Sequence, residues 1–292
     1  MKRFISAICV LAFIGLGVFF WITRPHTLPA DALTGLTADV DHGETVFHAA
    51  GCASCHTAPN AESTDAPVLS GGQRFPSDFG TFLAPNISSD ATQGIGDWSA
   101  LDLANAMLRG VSPEGAHYYP AFPYASYIRM QPQDVVDLHA YLATLPASDT
   151  ASQPHEVGFP FNIRRSVGGW KWLYLDDSWV MPAETAQLER GRYLVEAMGH
   201  CGECHTPRGA LGAMDRTAWL SGAPDPSGKG NIPDITPASL TWSDADITYY
   251  FETGFTPDFD SAGGHMAQVV ENLSKLTAQD REAVTAYLKA LP

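Results

Sequence analysis

The longest apolar stretch of the chain runs from Phe4 to Ile22 and contains no charged residue. A helix of about twenty apolar residues crosses the hydrocarbon core of a bilayer. Residues 1–24 are therefore predicted to form a membrane anchor, and the basic pair Lys2-Arg3 favours an N-terminus inside the membrane and the rest of the chain outside. A cleaved signal peptide is the alternative, since Ala30-Asp31-Ala32 matches the small-residue pattern of a cleavage site.

Beyond a predicted linker at residues 25–40, apolar residues recur at helical spacing in runs that occur twice. Aliphatic and aromatic residues line one face of Gly43–Gly51, and the same pattern returns at Gly191–His200. Each copy also closes with an amphipathic run that stops at a proline, which ends a helix. The repeat predicts two helical domains, at residues 41–147 and 188–292.

Shorter repeats lie inside each copy. The segment Trp98-Ser99-Ala100-Leu101-Asp102 is echoed by Trp242-Ser243-Asp244-Ala245-Asp246, and a Pro-x-Ile stretch at Pro85 is echoed at Pro233. A serine followed three positions later by an acidic residue is typical of a capping box. We therefore expect helices to open at Ser99 and Ser243.

Between the two copies, residues 148–187 form a predicted inter-domain strap rather than a flexible linker. Its central part, Phe159–Tyr174, is rich in Phe, Trp and Tyr, whereas flexible linkers are rich in Gly and Ser. One interpretation is a strap that packs over both domains and fixes their relative orientation. The other is a docking surface, because Trp, Tyr and Arg are common anchors of interfaces, and the two interpretations are compatible.

Four of the five cysteines lie in two motifs that indicate a specific cofactor. Cys52–His56 and Cys201–His205 are both C-x-x-C-H stretches, the attachment signature of c-type haem. Two thiols one helical turn apart can form thioethers to the vinyl groups of one porphyrin, and the histidine that follows can then bind the iron. A redox-active thiol pair does not need the trailing histidine, and a zinc site would usually bring two such pairs close together in sequence. The residues expected to hold two covalently bound haem c groups are Cys52, Cys55 and His56 in the first copy and Cys201, Cys204 and His205 in the second.

Composition narrows the class of partner. The chain has 17 basic and 32 acidic residues, a formal net charge of -15, which argues against binding to nucleic acid. It favours a partner with a basic patch and a salt-sensitive encounter, and a charge that serves only solubility is the alternative. Cys9, inside the apolar stretch, is the one cysteine outside the haem motifs, so no disulfide is expected in the exported part.

The order of helix, haem motif, loop, helix, ligand loop and helix resembles the plan of class I cytochrome c domains over nearly all of the exported chain. The resemblance implies an all-α fold with two tandem class I cytochrome c domains after one N-terminal transmembrane helix. Each core would be organised around its porphyrin.

The second ligand of the iron in electron-transfer cytochromes is usually methionine, which raises the reduction potential. In the second copy, Met266 follows Gly263-Gly264-His265 and precedes the final helix by a short loop, so we expect it to be the sixth ligand of that haem. A methionine that merely fills the core is the alternative.

The matching loop of the first copy, at 117–130, resembles the loop in cytochrome c subunits of membrane-bound, periplasmic alcohol, gluconate and fructose dehydrogenases. Many of those subunits show Pro-Ala-Met-Pro-Tyr with the methionine as ligand, whereas Phe122 stands at that position here. Met130 is the predicted substitute. His117 is the rival, and it would give a bis-His haem of lower potential.

The predicted function is that of a dihaem cytochrome that transfers electrons without substrate chemistry of its own. Electrons would come from a periplasmic dehydrogenase and leave towards the respiratory chain, to an oxidase, a soluble cytochrome or a quinone-linked acceptor. The loop and the strap look like a closer match to dihaem relatives that partner aldehyde or N-heterocycle dehydrogenases than to those dehydrogenase subunits. The expected location is the bacterial inner membrane, single-pass, with the soluble domains in the periplasm. A dihaem enzyme such as a peroxidase is the alternative.

Overall fold

A computed structural model of the chain describes residues 1–226, 228 and 230–292, and the predicted helical fold class is confirmed. Twelve α-helices occur among the described residues, with a few short strands. The α-helices are α1 (Lys2–Ile22), α2 (Val40–Ala49), α3 (Cys52–His56), α4 (Ala100–Arg109), α5 (Tyr124–Tyr127), α6 (Pro132–Leu142), α7 (Val167–Tyr174), α8 (Ala186–Arg192), α9 (Gly202–His205), α10 (Asp244–Thr253), α11 (Gly264–Ser274) and α12 (Ala278–Lys289). Short 3-10 turns lie at Arg164–Ser166 and Arg216–Ala218.

In each half of the molecule, the helix that precedes the haem motif crosses the last helix of that half at a glycine. A Cβ atom added at Gly43 would lie 2.1 Å from the backbone oxygen of Asp137, and one added at Gly191 would lie 2.0 Å from that of Ala283. Real side-chain atoms never come so close to an oxygen, so the backbones of α2 and α6, and of α8 and α12, can meet only where no side chain intervenes. The repeat seen in the sequence thus returns as two copies of one helix crossing.

The capping boxes expected at the two tryptophan repeats are confirmed. The Ser99 hydroxyl accepts a hydrogen bond from the Asp102 backbone N–H, and the Asp102 carboxylate in turn accepts from the Ser99 N–H, which opens α4. Ser243 and Asp246 make the same pair of bonds at the start of α10. Such a cap contributes about 1 kcal/mol to helix stability.

The second copy contains one residue more than the first between its crossing glycine and its haem motif. Cys52 follows Gly43 by nine positions, whereas Cys201 follows Gly191 by ten. The extra residue is absorbed by a π-helical segment, Tyr193–Met198, that continues directly from α8. Regular helical periodicity gave no sign of this segment.

The strap contacts both halves of the molecule. Its strand β3 (Glu156–Val157) joins an antiparallel hairpin of the first half, formed by β1 (Arg74–Ser77) and β2 (Gly80–Leu83), with β2 in the middle. The Trp170 indole N–H in α7 donates to the Leu211 backbone oxygen of the second half, 2.9 Å away. A two-stranded ladder of β4 (Ala223–Pro224) and β5 (Asn231–Ile232) lies within the second half.

The apolar helix α1 spans 21 residues with a mean hydropathy of 2.6, and none of its residues is buried. It is long and apolar enough to cross a membrane, as a signal sequence also is. Directly after it, Thr23 is buried, and its backbone oxygen lies 2.9 Å from the His117 Nε2 atom of the first half. The helix therefore enters the folded part through a packed junction.

The two helix crossings lead to a stability prediction. Gly43→Ala or Gly191→Ala should lower the free energy of unfolding by about 1–3 kcal/mol, because the added methyl group overpacks the crossing. Gly158→Ala is the matched control, since a Cβ atom there meets open space. Denaturant unfolding of the haem-loaded protein measures all three. Equal stability of the crossing variants and the control would contradict the role of these glycines in the fold.

Candidate haem centres

The first C-x-x-C-H stretch forms the one-turn helix α3, which starts after Gly51 in the left-handed conformation at φ 63°. The turn places the Cys52 and Cys55 thiols on one side, one helical turn apart. Desolvation by burial raises the pKa of Cys52 to about 12. Thiols kept uncharged in an apolar setting are suited to lie against the edge of a porphyrin, so this segment fits the haem that its motif predicts.

The orientation of His56 is set by a backbone oxygen. Its Nδ1 atom lies 2.9 Å from the Pro85 carbonyl oxygen, to which the ring N–H donates. This bond fixes the ring and leaves Nε2 as the free lone pair, the arrangement that metal-binding histidines generally adopt. Desolvation by burial lowers the pKa of His56, so the imidazole is held neutral, as a ligand of iron must be.

The second stretch repeats this geometry in α9. The His205 Nδ1 atom lies 2.8 Å from the Pro233 carbonyl oxygen, and desolvation lowers the pKa of His205 as well. Gly202 lies so close to the Trp219 ring that an added Cβ would be 2.2 Å from it. The two prolines belong to the repeated Pro-x-Ile stretch, whose position in the sequence was visible but whose role as the acceptor for each histidine was not.

Met266 lies in the first turn of α11, partly buried against the core, and not in a loop ahead of the final helix. The loop expectation is wrong because the glycine pair is followed by a helix-forming run, so that Gly263 serves as the N-cap of α11. The role of Met266 as the sixth ligand of the second haem stays a prediction.

Met130 is 4% exposed and immediately precedes Gln131, the N-cap residue of α6. The second half has Leu276, 5% exposed, directly before the N-cap residue of α12. In the repeat, Met130 is therefore equivalent to a buried leucine. Phe122 is equivalent to Met266, because each lies 12 positions after the left-handed C-cap glycine of the preceding helix. Met130 would therefore reach the iron from a position in the repeat that differs from that of Met266. Ligation of the iron by Met130 stays a prediction.

His117, the rival ligand, is buried, and both of its ring nitrogens are engaged. Nε2 lies 2.9 Å from the Thr23 backbone oxygen, and Nδ1 lies 3.2 Å from the Lys171 ammonium nitrogen. The ring thus joins the end of α1 to the strap, and neither nitrogen is left for a metal.

The residues just ahead of the two attachment segments contact each other. The Ala50 backbone oxygen, two residues before Cys52, lies 3.2 Å from the Tyr127 hydroxyl and 3.3 Å from the Nε2 atom of His200. His200 directly precedes Cys201 and adopts a positive φ of 40°. Burial, and after it the nearby Cys204 thiol of the second segment, raise the pKa of Cys55 to about 11. No sequence pattern signalled this contact.

Two C-x-x-C-H helices, each with its histidine turned by a proline carbonyl, define a c-type cytochrome with two haem sites. The cytochrome c family model matches residues 40–146 and 188–292. The chain belongs to the cytochrome c family, and it carries two covalently bound haem c groups.

Relatives agree with this family. The chain is 53% identical over 293 residues to a "Diheme cytochrome c-type" protein of Cereibacter sphaeroides, covering 100% of this chain and 99% of that protein. It is 35% identical to the fructose dehydrogenase cytochrome subunit of Gluconobacter japonicus and 34% identical to a nicotinate dehydrogenase subunit of Pseudomonas putida, over 87% of this chain in both cases. It spans 52% of the fructose dehydrogenase subunit and 21% of the nicotinate dehydrogenase subunit.

The separate attachment of the two haem groups is testable. The double change Cys201→Ala and Cys204→Ala removes both thioether donors of one site, and we expect it to leave one covalently bound haem per chain. A pyridine haemochrome spectrum measures this number, and Cys9→Ala is the control that should retain two. Retention of two covalent haem groups by the double variant would contradict the assignment.

Proposed function

We propose that this chain is a membrane-anchored electron carrier that accepts electrons from a periplasmic dehydrogenase and passes them towards the respiratory chain. The observation that carries the proposal is the contact between the residues just ahead of the two C-x-x-C-H segments, where the Ala50 backbone oxygen lies 3.3 Å from the His200 Nε2 atom. A carrier that takes up electrons at one haem and releases them at another needs the two groups close together, and this contact supports such an arrangement.

Each haem iron supplies a site that takes up and releases one electron. Cys52 and Cys55, and likewise Cys201 and Cys204, would hold the porphyrins through thioethers. His56 and His205 would bind the irons through Nε2, with Nδ1 held by Pro85 and Pro233. Met130 and Met266 would complete the two coordination spheres.

The relatives support a dehydrogenase as the electron donor. Two of them are named for fructose dehydrogenase and nicotinate dehydrogenase, and others that match are cytochrome c subunits of alcohol and gluconate dehydrogenases. The net charge of -15 supports partners with basic docking patches. On the acceptor side, an oxidase, a soluble cytochrome and a quinone-linked acceptor all fit the chemistry of a haem carrier.

The proposed location is the bacterial inner membrane, crossed once by α1, with the two haem domains on the periplasmic side. The apolar length of α1 and the basic residues Lys2 and Arg3 before it support this topology. The peroxidase alternative gains no support, because the relatives that match are cytochromes and dehydrogenase subunits.

Met266→Leu tests the second sixth ligand. Leucine keeps the volume but lacks the thioether, so the protein should retain two haem groups while one loses its ferric methionine–iron absorption band and shifts to a lower potential. Met214→Leu, at another partly buried methionine of the same half, is the control. An unchanged spectrum and potential in Met266→Leu would exclude Met266 as ligand.

Met130→Leu tests the first sixth ligand in the same way. If Met130 binds iron, this variant loses the remaining methionine–iron band, and the loss adds to that of Met266→Leu in the double variant. Met107→Leu is the matched control, because Met107 is equally buried, 4% exposed, within the same core. If the spectrum of Met130→Leu matches that of Met107→Leu, Met130 is not a ligand of the iron. It is then a core residue, as Leu276 is in the second half.

The function itself is tested in a strain that lacks this chain. We expect its membranes to lose oxygen uptake driven by at least one class of dehydrogenase substrate, among sugars, alcohols, aldehydes and N-heterocycles. The wild-type chain should restore the uptake, and the Cys201→Ala, Cys204→Ala chain should not. Undiminished uptake with every substrate class would contradict the proposed role.

A further inference from the structure

The strap carries a surface of large apolar side chains that no part of the described chain covers. This strap surface consists of six exposed residues, Phe159, Phe161, Ile163, Trp172, Leu173 and Tyr174. Trp172 is 65% exposed and Leu173 is 57% exposed, whereas the opposite side of the same helix α7 is buried. A helix that turns its apolar residues outwards indicates a binding partner.

The strap surface is held directly beside the end of the apolar helix α1. Gly168 packs so closely on Thr23 that an added Cβ would lie 2.7 Å from the Thr23 Cα atom. The Arg165 guanidinium donates to the Thr23 hydroxyl and to the Phe20 backbone oxygen, at 3.1 Å each, and lies over the Phe20 ring. A cation at the carbonyl end of a helix is favourable. This junction ties α7 to the point where α1 ends.

The depth of this junction follows from the length of α1. Its 21 residues extend about 31 Å, close to the roughly 30 Å thickness of the hydrocarbon core. Thr23 then lies at the boundary between lipid tails and headgroups. Trp172 follows Gly168 by one helical turn, so α7 carries it at most about 5.4 Å further from this boundary, which is within the thickness of the headgroup layer. Tryptophan and tyrosine are enriched at that level of membranes.

The charge of the strap also fits a lipid surface. No acidic residue occurs from Val157 to Leu175, although the whole chain has 32, and this stretch contains Arg164 and Arg165, as well as a buried Lys171. Carboxylates would be repelled by the phosphate groups of anionic lipids, so their absence from this stretch favours contact with a lipid surface. The next acidic residues are Glu156 and Asp176, at the two ends of the stretch.

We propose that the strap surface inserts into the headgroup region of the membrane as a second, interfacial attachment. The proposal rests on the membrane anchoring by α1 proposed above. With α1 alone, the cytochrome could still rotate about the axis of α1 and tilt together with it, whereas the second contact fixes which side of the cytochrome faces the bilayer. The strap is bonded to both halves, through His117 and Leu211, so both haem sites share this fixed orientation.

Spin labels in the full-length, haem-loaded protein test this proposal. In a Cys9→Ala background, Trp172→Cys and Leu173→Cys each provide one labelling site, and the protein is placed in nanodiscs of phosphatidylethanolamine and phosphatidylglycerol. Tyr249→Cys is the matched control, because Tyr249 is 54% exposed on α10 of the second half. Phe13→Cys reports on α1 itself. A pyridine haemochrome spectrum checks that every variant holds two haem groups.

We expect the labels at 172 and 173 to collide with oxygen, which concentrates in lipid, several-fold more than the label at 249, and several-fold less with a water-soluble nickel chelate. Labels at 172 and 173 that behave like the label at 249, with the label at 13 in lipid, would overturn this proposal alone, and a protein partner would then be the occupant of the strap surface. A label at 13 exposed to water would overturn the anchoring by α1 and the interfacial contact with it.

Discussion

The contact between Ala50 and His200, just ahead of the two C-x-x-C-H segments, is the constraint on which the rest of this structure depends. The Ala50 backbone oxygen lies within hydrogen-bond distance of the Tyr127 hydroxyl of its own half and of the His200 Nε2 atom of the other half. Electron transfer between cofactors falls steeply with their separation. A fixed contact just ahead of the two attachment segments would hold that separation constant, which a flexible link between two domains would not.

Several other features maintain this contact. The glycines at 43 and 191 let the first and last helix of each half approach closely, which sets where each haem motif begins. The π-helical segment Tyr193–Met198 accommodates one extra residue while α8 stays packed on α12. It leads directly to His200, which has a positive φ and contacts Ala50. Tyr193 also bonds across to the first half, where its hydroxyl accepts from the Gln131 backbone N–H at 2.8 Å.

The sequence was sufficient for features that depend on local chemistry. The motif at Cys52–His56, the capping serine at Ser99 and the apolar length of α1 each follow from neighbouring residues, and so does the twofold repeat. Features that depend on distant residues were not accessible in this way. The proline carbonyl that turns each histidine lies almost thirty positions away, at Pro85 for His56. The helical setting of Met266 was missed because a glycine pair is typical of a loop as well as of a helix start.

The central claim is that electrons pass between the two haem groups within one molecule. Flash photoreduction of the purified full-length protein measures this directly, with the two haem groups followed by their absorption. We predict a phase in which one haem is oxidised as the other is reduced, at a rate that does not change with protein concentration. Exchange between the haem groups that proceeds only in proportion to protein concentration would contradict the claim, because electrons would then pass between molecules and not across the contact at Ala50.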